Sequence, residues 1–186
     1  VRQTNDLSRI VDEFSRFARM PEPVKKSENI IQIIDSAISL QENGLPEIAF
    51  KRNIVDGPIM IEVDATMISQ ALINLLKNAG ESIASRMSKA ELPNVVGQIK
   101  VIANLSGKFL KVSIFDNGLG LPEDRARLYE PYVTTRENGT GLGLAIVKKI
   151  IEEHGGTFRL EDAPQYQNSG IVGAAAIIEL PIYSVQ

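Results

Sequence analysis

The run Gly139-Thr140-Gly141-Leu142-Gly143-Leu144 leads straight into an amphipathic segment built on Leu144, Val147, Ile150 and Ile151. Alternating glycines clear side chains from the start of a helix, where the first N–H groups lack intrahelical acceptors at the positive end of the dipole. Such an end suits an anion. The run is not a dinucleotide-binding fingerprint, because no βαβ unit with a following strand surrounds it. Nor is it a Walker A loop, because no Lys-Ser/Thr follows the glycines. Taken alone, it leaves phosphate binding and a structural turn equally open.

A second glycine pair narrows the choice. Asp116-Asn117-Gly118-Leu119-Gly120-Leu121-Pro122 leaves the end of an apolar alternating segment, Phe109 to Phe115. Two glycines two apart allow a tight turn and close backbone approach to a ligand. An acid at the strand end can accept from an exocyclic amine. A third element is Asn74-Leu75-Leu76-Lys77-Asn78-Ala79-Gly80-Glu81. Asn74 and Asn78 are four apart and so share a helical face, opposite Leu72, Leu75 and Leu76. Two solvated surface asparagines would account for that spacing. Asparagine is a poor helix former, however, and an amide oxygen is a hard ligand of the kind Mg²⁺ accepts alongside water and phosphate.

Composition removes other chemistries. Lys and Arg total 20 against 23 Asp and Glu, a net charge of −3, so the chain lacks the basic surplus of a nucleic-acid binder. Hydrophobic residues make up 44 % and charged residues 23 %, ordinary values for a folded globular chain of 186 residues. The absence of cysteine excludes disulfides, thiol catalysis and cysteine-ligated metals. With His154 the only histidine, a histidine-rich metal cluster is excluded too. The longest apolar run, Ile171 to Ile178, is far shorter than the ~20 residues that span a bilayer. No membrane contact is expected from these residues.

Periodicity predicts the framework. Leu7, Ile10, Val11, Phe14, Phe17 and Ala18 mark an amphipathic helix that ends at Met20-Pro21-Glu22-Pro23. The chain opens inside that pattern, so a piece of a larger protein is expected. Ile30 to Leu40 reads as a helix closed by Asn43-Gly44-Leu45-Pro46. Ile48 to Ile54 and Ile59 to Val63 read as strands joined through Asp56-Gly57-Pro58. Asp64 caps a long helix from Ala65 to about Met87. Ile99 to Leu105 and Phe109 to Phe115 form a hairpin around Ser106-Gly107-Lys108. The last helix stops at His154-Gly155-Gly156, and Thr157 to Leu160 and Val172 to Leu180 close the fold as strands. This order predicts a two-layer α/β sandwich, one mixed sheet with helices on one face.

In that order, the three elements resemble the N, G1 and G2 boxes of sensor histidine kinases, in the superfamily that also holds gyrase, MutL-type and chaperone ATPases. Tyr129-Glu130-Pro131-Tyr132-Val133-Thr134-Thr135-Arg136 resembles the F box, with tyrosines where phenylalanines are usual. The likeness runs from about Ile30 to Pro181. It implies a Bergerat-type ATP-binding fold over residues 28–186. Asn78 would ligate Mg²⁺, with Asn74 and Lys77 nearby on that face. Asp116 would accept from the adenine amino group, with Gly118, Gly120 and Leu121 shaping its pocket. Gly139, Thr140, Gly141, Leu142, Gly143 and Leu144 would surround the triphosphate. Leu121 to Asn138, including Tyr132, Thr134, Thr135 and Arg136, would form a mobile ATP lid.

The resemblance further implies transfer of the ATP γ-phosphoryl group to a histidine and then to a response-regulator aspartate. The acceptor motif, a histidine followed by Glu and a Pro-Leu pair, is missing. His154, in Glu153-His154-Gly155-Gly156, instead reads as a helix-end residue that meets the dipole and the last carbonyls. Residues 1–22 would be the C-terminal part of a dimerisation hairpin, in a homodimer of the full-length protein. The ending Phe14-Ser15-Arg16-Phe17-Ala18-Arg19-Met20-Pro21 is similar to nitrogen-regulation sensor kinases of the NtrY type. Those imply a cytoplasmic domain of an inner-membrane bacterial sensor.

Two departures bear on mechanism. Gly173-Ala174-Ala175-Ala176 stands where the family often has threonine, so a hydroxyl that supports the adenine site would be replaced by water. Hydrolytic relatives place a glutamate one turn before the metal-binding asparagine, and here that position is Asn74. An amide is no general base, which favours a kinase over a hydrolase. A competing reading is a degenerate kinase, a nucleotide-binding or dimerisation module that acts mainly through regulator dephosphorylation.

Overall fold

Local signals account for where the helices begin and end. The computed structural model describes residues 15, 19–89, 95–131, 141–164, 166 and 171–182. Helix α1 spans Ile30–Gly44, and the Asn29 side chain caps it by accepting from Ile31 N–H. Asn29 Oδ1 also accepts from Ile59 N–H at 3.3 Å, fastening the helix start to a distant turn. Helix α2, Ala65–Ser88, begins at Asp64, whose carboxylate accepts from Thr66 and Met67 N–H, as the sequence predicts. Helix α3, Gly143–Glu153, has Leu142 at its start and no side-chain cap. Its end is a Schellman closure: Gly155 N–H reaches Glu152 O and Gly156 N–H reaches Ile151 O, both at 2.9 Å. Gly155 has φ +72, a conformation natural to glycine.

The described residues also form seven strands: β1 Lys26–Asn29, β2 Ile48–Ile54, β3 Met60–Val63, β4 Gly97–Ser106, β5 Phe109–Asp116, β6 Thr157–Ala163 and β7 Gly173–Pro181. Five of them form one sheet in the order β2-β4-β5-β7-β6. β2 runs parallel to β4, and the other neighbours are antiparallel, so the expected mixed sheet is present. Alternation puts Ile99, Val101 and Ala103 of β4 and Leu110, Val112 and Ile114 of β5 into the core, together with Ile178 and Leu180 of β7. The helices layer over this face, with α2 in the middle against both α1 and α3. Ile68, Leu72, Leu75, Leu76 and Ile83 of α2 are all buried there. At the parallel edge, Arg52 of β2 pairs with Glu42 and lies 3.7 Å from Asp35, both on α1.

The structure adds a separate two-stranded ribbon that the sequence reading lacks. β1 pairs antiparallel with β3, Lys26 opposite Val63 and Asn29 opposite Met60. The two segments read as neighbouring strands, Ile48 to Ile54 and Ile59 to Val63, therefore belong to different sheets. Lys26-Ser27-Glu28-Asn29 carries no apolar alternation of its own, and its partner supplies the buried side chains, Ile61 and Val63. The predicted N-terminal helix lies outside the described residues except at Ser15 and Arg19, where Arg19 N–H donates to Ser15 O at 3.1 Å, a helical bond.

Candidate functional site

The three glycine- and asparagine-bearing elements meet along the C-terminal half of α2, at Asn78 and Ser82. Asn78 projects from the middle of that helix toward the start of α3. A Cβ built on Gly143 would have the Asn78 amide nitrogen as its nearest neighbour, at 3.8 Å, so the first helical residue of α3 faces this side chain at about one methyl's contact distance. Just before it, Gly141 takes φ +68, and Leu142 is fully buried and anchors the turn. The chain thus arrives at α3 by a bend that favours glycine, with its helical N–H groups directed past a residue lacking a side chain.

Asp116 closes β5 and is 6 % exposed. Its Oδ1 accepts from Gly118 N–H at 2.8 Å, which folds the carboxylate back over the turn it initiates. Asn117 clamps that turn to β4, accepting from Gln98 N–H at 2.7 Å and donating to Val96 O at 2.9 Å. Ser82, one turn beyond Asn78, accepts from Leu119 N–H at 3.0 Å and holds the turn to α2. At Gly120, with φ +77, a Cβ would collide with the carbonyl oxygen of Val172. The strand register sets Ala174 opposite Asp116 and Ala176 opposite Ile114, so methyl-sized side chains line the sheet beside the carboxylate.

The expected lid begins fastened rather than loose. Arg125 donates to both carboxylate oxygens of Asp162, at 2.9 and 3.0 Å. A 3₁₀ turn over Ala126–Tyr129 follows. The Tyr129 hydroxyl accepts from Leu160 N–H at 2.9 Å on the β6 edge, and its ring meets Phe158 edge-on at 5.7 Å. Lys148 of α3 lies 5.5 Å from the ring centroid, within cation–π range. Tyr132, Thr134, Thr135, Arg136, Gly139 and Thr140 lie outside the described residues.

Lys77 and Asn74 precede Asn78 on α2. Lys77 is well exposed and lies 3.9 Å from Glu81 on its own helix. Asn74 lines a cleft of about 1000 Å³ between α1 and α2, with Met20, Ile33, Ile73 and Ile146 among its walls.

His154 ties the far ends of α2 and α3 together. Its Nδ1 donates to Ile150 O at 2.7 Å, the helix-end role expected of it, and its Nε2 accepts from Asp64 N–H at 3.0 Å. Burial holds its pKa below the usual imidazole value, and Lys25 acts the same way, outweighing the Ile150 bond and the charges of Asp64 and Glu153. Burial alone would raise the Asp64 carboxyl, but N–H donors from Met67, Val24 and Thr66 hold it below its ordinary value. The link from Asp64 to Val24, at 3.0 Å, joins this cap to the segment entering from residue 19.

Sequence reasoning did not identify Ser82 or Asn117 as site residues. Ser82 continues the Asn74-Asn78 stripe by another four positions, and that i+4 polar repeat was the available signal.

Comparison with known proteins gives this geometry its family. Residues 63–184 match the model of the histidine kinase-, DNA gyrase B-, and HSP90-like ATPase. The nitrogen regulation protein NtrY of Azorhizobium caulinodans is 51 % identical over 175 residues, covering 92 % of this chain and 22 % of that protein. The chain thus spans about a fifth of this curated relative. Among solved structures, the catalytic domain of histidine kinase ThkA is 30 % identical with a TM-score of 0.70, covering 85 % of this chain and 95 % of that one. ThkA in complex with response regulator protein TrrA matches at 28 % identity and a TM-score of 0.73, covering 97 % of this chain and 49 % of that one. No helix among the described residues is long and apolar enough to cross a membrane. The chain belongs to the histidine kinase-, DNA gyrase B-, and HSP90-like ATPase family.

Proposed function

We propose that this domain binds Mg·ATP between Asp116 and the start of α3 and presents the γ-phosphoryl group to a histidine of a dimerisation domain. The observation that carries the reading is the approach of Asn78 to Gly143, the first residue of α3, after a turn at Gly141 with φ +68. Asp116 would accept from the adenine amino group through its carboxylate. Gly118, Gly120 and Leu121 would shape the turn beside the base, the two glycines by letting the chain pack close against Ser82 and Val172. Gly141, Leu142, Gly143 and Leu144, with Gly139 and Thr140 before them, would direct N–H groups at the phosphates.

The donor set fits a magnesium ion. The Asn78 amide offers a hard oxygen, and phosphate and water would complete an octahedral shell. Bound there, the ion supplies neutralisation of charge on the phosphate oxygens. Asn74 and Lys77 remain candidates for a polar and a cationic group beside that shell. An amide at position 74 cannot take a proton from water, so the site favours a nucleophile delivered from outside over hydrolysis.

In the transfer, a histidine ring nitrogen forms a bond to the γ-phosphorus as the bond to the β-phosphate oxygen breaks and ADP leaves. A response-regulator aspartate then receives the phosphoryl group, a partner supported by the likeness to the ThkA–TrrA complex. Residues 1–22 would be the end of the dimerisation hairpin in a homodimeric, inner-membrane sensor whose catalytic domain faces the cytoplasm. Tyr132, Thr134, Thr135 and Arg136 would close over the nucleotide from the anchor at Tyr129.

The test mixes this chain with a separately prepared dimerisation domain carrying the acceptor histidine, plus γ-labelled ATP and Mg²⁺. The expected product is an acid-labile, base-stable phosphohistidine. Bound Mg·ATP without label on histidine would overturn the proposal.

A further inference from the structure

Two clamps hold the turn that follows Asp116. Asn117 fixes it to β4, within the sheet. Ser82 fixes it to α2, the helix that carries Asn78, through the bond from Leu119 N–H at 3.0 Å. The contact is tight along its length: a Cβ on Gly118 would fall onto Ser82 Oγ and within 2.7 Å of both the Ser82 carbonyl carbon and Asp116 Oδ1. Gly118 N–H in turn donates to that Asp116 oxygen. A continuous path therefore runs from the Ser82 hydroxyl through Leu119 and Gly118 to the orientation of the Asp116 carboxylate.

We propose that Ser82 is a positioning residue for base recognition: by pinning the turn to α2, it fixes the Asp116 carboxylate so that an adenine amine is accepted and a guanine carbonyl refused. This rests on the reading of Asp116 as the base acceptor. The chemistry is a matter of sign. Adenine presents an N–H donor where guanine presents an oxygen, and a carboxylate held rigidly in place pairs with the first and repels the second. A carboxylate on a loosened turn can rotate away from the guanine oxygen, so its refusal weakens. Alanine is an excellent helix former, so Ser82→Ala removes the acceptor while keeping α2 intact.

The experiment measures Mg·ATP and Mg·GTP dissociation constants for the wild-type chain and Ser82→Ala by calorimetry, with amide hydrogen exchange read at Leu119. The expected result is an ATP constant raised roughly three- to tenfold, the scale of one lost hydrogen bond. The GTP constant should change less, so that discrimination narrows, with faster exchange at Leu119 and an unchanged unfolding midpoint. Equal losses for both nucleotides, or faster exchange at Leu119 with ATP affinity untouched, would overturn the inference. A wild-type chain that does not bind Mg·ATP would remove the nucleotide reading itself, and the inference with it.

Discussion

The starts of α2 and α3 solve the same physical problem in opposite ways. Each presents N–H groups that the helix cannot satisfy. At α2, Asp64 accepts from Thr66, Met67 and Val24, and its own N–H is taken by His154, so the end is closed by the chain itself. At α3, Leu142 is buried and its own side chain makes no capping bond, and a Cβ on Gly143 would stand at ordinary contact distance, 3.8 Å, from the Asn78 amide. The second arrangement is the one proposed to receive a ligand's charge. If one terminus serves stability and the other the proposed binding, substitutions should separate those quantities.

The largest effect is expected at Asn78. Asn78→Ala removes the amide facing α3, and Mg·ATP affinity should fall roughly ten- to hundredfold, the scale of bonds to charged groups. The unfolding midpoint without nucleotide should barely move. Gly143→Ala is a sharper probe, because its methyl group would meet only ordinary contact, 3.8 Å from Asn78. The helix should gain about 0.4–1 kcal/mol from lost chain entropy in the unfolded state. Nucleotide binding should weaken about tenfold where the methyl fills the phosphate space. A protein that becomes more stable and binds less tightly would separate the two roles within a single residue.

At the other terminus the expected pattern reverses. Asp64→Ala should cost about 1–2 kcal/mol as a lost helix cap. In a chain of this size that is a fall of several degrees in the unfolding midpoint. The dissociation constant for Mg·ATP should stay within twofold. The smallest effect is in pH dependence. His154 is harder to protonate folded than unfolded, so its contribution is complete above about pH 6.5 and is lost as the pH falls through the lower folded value. The depressed Asp64 carboxyl works in the same direction at more acid pH. Unfolding midpoints between pH 7.5 and 5.5 should therefore fall, and His154→Gln should flatten that slope.

Closure at α2 was half legible in the sequence. Asp64 before an apolar periodic run announces a cap, and His154-Gly155-Gly156 announces a helix end. The bond between them crosses 90 residues, and no local pattern encodes it. The hairpin of β4 and β5 was readable for the same reason as the caps: alternation and a Ser106-Gly107-Lys108 turn are short-range signals. The parallel pairing of β2 with β4 and the β1–β3 ribbon are not, since each joins segments separated by a helix.

Open ends were more legible than closed ones. Glycines 118 and 120 mark close approach directly, because a Cβ at Gly118 or Gly120 would strike Ser82 or Val172. The bonds that aim Asp116, from Ser82 and Asn117, left only the faint i+4 repeat of Asn74, Asn78 and Ser82. Tyr129 was legible as part of a loop motif but not as an anchor, because its partner, Leu160 N–H, is an edge-strand donor that only the folded sheet creates.

The most direct measurement is an amide NMR titration of the ¹⁵N-labelled chain with Mg²⁺ and a non-hydrolysable ATP analogue. Large shifts at Gly143 and Leu144, with Thr66 and Met67 unmoved, are the predicted result. Shifts at Thr66 and Met67 instead, or saturating binding that leaves Gly143 and Leu144 unchanged, would contradict the assignment of the phosphates to the open end of α3.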